Sequence, residues 1–162
     1  MSGRWQSLGN ILVSGLAAIL LATVLGAIIQ SQYNLAAIAA LDVHIPLGTW
    51  IVTTLKDIVG FGMLYGLLVA VAFFVALPVA AWLSRRFVDQ AQWIFMLAGA
   101  AAVAVLLLLL KAALPMTAIA ATRDPSAVVL MALAGAPAGW IYYLLRWREK
   151  RVIRSSAGTP AQ

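Results

Sequence analysis

Residues 58–83 read IVGFGMLYGLLVAVAFFVALPVAAWL, an apolar run with no charged side chain and with glycine at 60, 62 and 66. A helix needs about 20 such residues to cross a hydrocarbon layer of ~30 Å, so this run is long enough to span a bilayer with some tilt. Pro78 near its far end is placed to bend it. Three further runs of the same kind flank it. Residues 11–30 are interrupted only by Ser14 and Thr23 before Gln30, and those hydroxyls can bond back to the helix's own carbonyls. Residues 93–111 have no polar side chain between 94 and 110, and residues 126–146 carry Gly135, Pro137 and Gly139 in their middle.

The expected fold is therefore an all-α integral membrane protein, a bundle of four transmembrane helices at about 11–30, 58–83, 93–111 and 126–146. The composition agrees: the 162 residues are 64% hydrophobic and 10% charged, with mean hydropathy +1.00, whereas soluble domains are near half apolar and a quarter charged. Residues 1–154 form one domain on this reading, and 155–162 a disordered tail. The first run follows Arg4 but exceeds the 7–15 apolar residues of a secretory signal, so it is expected to be retained.

Boundary residues fit helix ends. Asp89 and Gln92 have capping-box spacing ahead of the third span, Asp124 precedes a proline suited to the first helical position of the fourth, and Asp57 is placed to cap the second. Between the first two spans, Leu35, Ile38 and Leu41, then Ile51, Leu55 and Ile58, keep helical spacing. They are expected to form two short amphipathic helices in the membrane interface, broken near residues 44–48, with Trp50 as an anchor. The apolar stretch 112–121, broken at Pro115, is expected to lie on the same surface.

The charge of +6 and pI near 10.3 would point to nucleic acid in a soluble chain. Here the excess is one-sided. Arg4, Arg85, Arg86, Arg146, Arg148, Lys150, Arg151 and Arg154 share one side with Asp89 and Glu149. Lys56, Lys111 and Arg123 balance Asp42, Asp57 and Asp124 on the other. By the positive-inside rule both termini and the 84–92 turn are expected in the cytoplasm, and Trp5, Trp82, Trp93 and Trp147 fall at that boundary as an aromatic belt. The chain is thus expected in a bacterial inner membrane, without a nucleic-acid partner. The run Arg146, Arg148, Lys150, Arg151 and Arg154 suits an anionic lipid surface.

Candidate sites are few. Gln30, Gln32, Tyr33, Asn34, Asp42, His44, Lys56, Asp57, Lys111, Arg123 and Asp124 make a charge-balanced polar rim on the extracytoplasmic side. Such a rim suits a polar headgroup, a small metabolite or a partner's loop, but the plainer reading is ion pairs of Lys56 or Lys111 with Asp57 or Asp124, a snorkelling Lys111 and loop hydrogen bonds. There is no cysteine and one histidine, which excludes cysteine-ligated zinc and iron–sulfur clusters, and bis-histidine haem and three-histidine zinc within one chain. An Asp42–His44 metal pair across copies is the residual alternative, and no cofactor is expected. Gly62-x-x-x-Gly66 and Gly135-x-x-x-Gly139 allow close helix approach, in the bundle or between copies.

No catalytic motif is present, so no enzymatic activity is expected. No charge lies at the centre of any span, where an ion-coupling group would be needed. What remains is contact: an accessory or assembly subunit of a membrane complex, or a homo-oligomer, with a membrane-protein partner or a second copy. A small transporter or channel working as an oligomer, with its site at the rim, is the alternative.

Overall fold

The computed structural model describes residues 2–42, 44–113 and 125–147, with side chains from residue 9 to residue 146 of these. The elements are α1 (Ser2–Ala39), α2 (Leu47–Leu83), α3 (Ala91–Ala113) and α4 (Pro125–Tyr142). A 3-10 turn, Val88–Gln90, leads into α3, and a π-helical turn, Tyr143–Trp147, continues α4. Every described element is helical. All four long helices are apolar and long enough to cross a membrane, which suggests a multi-pass membrane protein.

Two boundaries differ from the sequence expectation. The short interfacial helices expected at 35–41 and around 47–58 are instead the distal ends of α1 and α2, which run 38 and 37 residues. The reason is local: no glycine or proline lies between Ala27 and Pro46, so nothing stops α1 where its apolar run ends. Polar residues such as Gln30 and Gln32 continue a helix at little cost. Asp57, expected as a cap, is accordingly inside α2 and half-buried. Asp89 lies in the 3-10 turn before α3, and α4 starts at Pro125, whose missing N–H costs nothing at that position.

The break between α1 and α2 has identifiable causes. The last turn of α1 tightens, with Leu41 N–H donating to Ile38 O at 3.0 Å and Asp42 N–H to Ala39 O at 3.2 Å. Asp42 then adopts φ 60°, a left-handed conformation that aspartate tolerates better than most residues. Pro46 restarts the chain: its carbonyl accepts from Thr49 N–H at 2.9 Å and Trp50 N–H at 3.2 Å. At the other end, Arg85 and Arg86 N–H groups close back on Trp82 and Leu83 carbonyls, so α2 and α3 are joined by a tight turn and run antiparallel.

Around the bundle, α1 packs between α2 and α4, and α3 between α4 and α2; the α3–α4 seam is the most extensive and α2–α3 the least. Polarity does not separate inside from outside, and side-chain size does so on α1 but not on α2. Along α1, Ala18, Ala22 and Ala27 are buried while Leu12, Leu16 and Leu20 face outward. Along α2, Tyr65, Val69, Phe73 and Leu77 recur every fourth residue into the core, with Leu67, Val71, Phe74 and Val75 outside. Such a pattern suits lipid, where apolar area gains nothing by hiding and close backbone packing of small residues holds helices together.

Candidate functional site

The polar rim separates into two groups. The first is a seam between α1 and α2. Ser31 Oγ donates to Thr54 Oγ1 at 3.2 Å, Gln32 Nε2 donates to the same oxygen at 3.2 Å, and Thr54 Oγ1 in turn donates to the Trp50 carbonyl at 2.9 Å. Gln30 is buried beside them and engaged. Tyr33 carries the network to the fourth helix, its hydroxyl 2.7 Å from Ser126 Oγ. These bonds tie α1, α2 and α4 together near the α1–α2 turn. The groups are neutral hydroxyls and amides, suited to fixing helix register; none is a paired acid, base or activated nucleophile.

The second group is spread over α1, the α1–α2 turn, α2 and α3. Asp42 and His44 are exposed in the α1–α2 turn, Lys56 is exposed on α2 beside half-buried Asp57, Asn34 is half-buried, and Lys111 is exposed in the last turn of α3. Among the described residues, His, Cys, Asp and Glu form no group of three able to hold a metal ion. Arg123 and Asp124, the basic residues Arg148, Lys150, Arg151 and Arg154, the stretch 114–124 and the tail 155–162 lie outside the described residues. Arg146 is in the π-helical turn and half-buried.

Ser31, Thr54 and Ser126 were not among the residues singled out in the sequence. Ser31 is flanked by Gln30 and Gln32 in a long apolar helix, and Thr54 follows Thr53. Those clusters were the available signal; their pairing across helices was not.

The glycines mark seams of unequal tightness. A Cβ at Gly139 would fall on the Phe95 carbonyl, and Cβ atoms at Gly99 and Gly135 would each meet the other's carbonyl oxygen, so α3 and α4 meet backbone to backbone. Gly62 and Gly66 face α1 through Thr23, where added Cβ atoms would lie 3.5 Å from Cγ2 and 3.0 Å from Oγ1 respectively. Gly26 of α1 lies under the Tyr65 ring. Gly99 and Gly26 belong to these seams but to neither glycine motif of the sequence.

A large concavity lies between residues 68–83 of α2 and 94–109 of α3. It has a volume of about 710 Å³ and a wholly apolar lining that includes Ala72, Ala76, Ala98 and Ala101. Its lower rim, Leu83 and Ile94, adjoins the turn that carries exposed Arg85 and Arg86. Trp82 and Trp93 are exposed at the same end. No family model, curated protein or solved structure matches this chain.

Proposed function

We propose that this chain is a non-catalytic protein of the bacterial inner membrane, with both termini cytoplasmic, that works through contact as an accessory or assembly subunit or as a homo-oligomer. The observation that carries this reading is an exposed apolar stripe on the first part of α2. Leu47, Ile51 and Leu55 recur every fourth residue and are 81%, 62% and 58% exposed, with Leu41 in the turn at 76%.

Their setting gives the stripe its meaning. At 1.5 Å per residue, α2 with 37 residues is roughly 55 Å long, against ~30 Å of hydrocarbon, and a tilt of about 40° absorbs only some 10 Å of the excess. The charges of Lys56 and Asp57 set the boundary of the charge-free run, because burying them in hydrocarbon would cost several kcal/mol. The residues before them therefore lie at or beyond the membrane surface. Large apolar side chains exposed there form a patch of the kind that marks a protein contact. The polar seam through Thr54 supports it by holding this extension to α1.

The test is site-specific photo-crosslinking in cells. A photoreactive residue at Ile51 should give one discrete protein adduct, with the partner or a second copy, that weakens when Leu47 and Leu55 are changed to glutamate. The same probe at Phe74, on the outer face within the apolar run, should give lipid adducts. Only lipid adducts at Ile51 would overturn the reading.

A further inference from the structure

We propose that the groove between α2 and α3 is a binding site for one anionic phospholipid, with an acyl chain lying along the groove and the phosphate held at Arg85 and Arg86. The site is independent of the apolar stripe on the first part of α2.

Length and volume select a chain as occupant. Residues 68–83 and 94–109 line the groove, a rise of roughly 23 Å at 1.5 Å per residue. One leaflet's hydrocarbon is about 15 Å deep, half of a ~30 Å core, so a whole acyl chain fits between the turn and the far end. The groove's volume of about 710 Å³ leaves room for an acyl chain along this length.

The lining explains why the space stays open. Ala72, Ala76 and Ala80 face Ala98, Ala101 and Ala102 across it. On the α3–α4 seam small residues bring backbones into contact, whereas α2 and α3 pack least of the neighbouring helix pairs. Short side chains without close approach leave a trough. Its rims are branched residues such as Leu68, Leu83, Leu106 and Leu109.

The headgroup end supplies charge. Arg85 and Arg86 are both exposed in the turn after Leu83 and Ser84. Two arginines in the turn that joins the trough's two walls complement a phosphate whose chain enters the trough. Exposed Trp82 and Trp93 flank it at headgroup depth, as interfacial tryptophans do.

The full chain is to be reconstituted in vesicles of phosphatidylcholine with phosphatidylglycerol, each lipid carrying in turn a photoreactive acyl chain, and the labelled peptides mapped. The expected result is preferential labelling by phosphatidylglycerol, concentrated on residues 68–83 and 94–109. Native mass spectrometry of detergent-released protein should show one retained phosphatidylglycerol. In R85Q/R86Q, preference over phosphatidylcholine should fall roughly fivefold per arginine. In Ala101→Phe, at an exposed position, the adduct should disappear with the arginines intact. Label spread evenly over the outer faces, equal retention of the two lipids, or an adduct surviving Ala101→Phe overturns the proposal. So does a groove variant that loses a bound protein or second copy instead of a lipid. The labelling arm uses the unaltered chain, so a variant that misfolds does not decide the matter.

Discussion

Gly139 of α4 sits directly against the carbonyl of Phe95 on α3, with no room for a side chain between them. Two backbones in contact cannot yield as a rotamer can, so a methyl group here must displace a helix. Gly139→Ala and Gly135→Ala should each destabilise the bundle by about 1–3 kcal/mol, the usual range for overpacking. Gly66→Ala should cost less, because Thr23 can turn aside. Gly15→Ala, with no atom within 4 Å of the new Cβ, should be neutral or slightly stabilising, since alanine suits a helix interior better by about 0.5–1 kcal/mol. Thermal unfolding in detergent, read by the fraction still monodisperse, ranks the four; equal losses at positions 15 and 139 would contradict the backbone contact.

Tyr65 is buried at 1% exposure, and its hydroxyl finds no hydrogen-bond partner among the described residues. An unsatisfied buried hydroxyl costs about 1–3 kcal/mol. Tyr65→Phe should therefore hold or raise the stability of the bundle, while Tyr65→Ala, which empties the space the ring fills, should lower it by about 3–5 kcal/mol. The same assay checks both. A loss in the phenylalanine variant as large as that in alanine would mean that the hydroxyl is bonded after all.

The Tyr33–Ser126 hydrogen bond, 2.7 Å long, joins α1 to α4 across the bundle. Tyr33→Phe and Ser126→Ala should each cost about 0.5–1.5 kcal/mol. The double variant should cost less than both together, since the second change removes a bond already lost. Strict additivity in a double-mutant cycle would show that the pair contributes no coupling.

The absence of cysteine makes orientation directly measurable. A single cysteine at Phe87, exposed in the α2–α3 turn, should react with a membrane-impermeant maleimide only after the cells are opened. One at His44, exposed in the α1–α2 turn, should react in intact cells. The reverse pattern would invert the topology expected from the arginine-rich side.

Reading the sequence located the four apolar spans because each is a run of residues whose burial in hydrocarbon needs no partner. Two helix ends escaped it. Leu35, Ile38 and Leu41 keep helical spacing, but spacing alone does not say whether a helix is new or continued; the absence of a breaker before Pro46 was the decisive local feature. At the rim, Gln30 and Tyr33 stand out as polar residues after an apolar run, whereas their companions Ser31, Thr54 and Ser126 are small hydroxyls that any membrane helix carries. Asp42, His44, Lys56 and Lys111 stand out equally well, and each is exposed.

Composition and charge placement, which depend only on residue identity, were enough for the number of helices and the asymmetry of charge. Which face of each helix turns inward was beyond them. Almost every side chain in these spans is apolar, and large ones lie both in the core and outside it, so neither polarity nor size alone distinguishes core from lipid, and the distinction rests on which backbones meet. That is decided in three dimensions: Gly99 against Gly135, Gly26 beneath Tyr65, and alanines facing one another across a trough between α2 and α3 that their helices do not close.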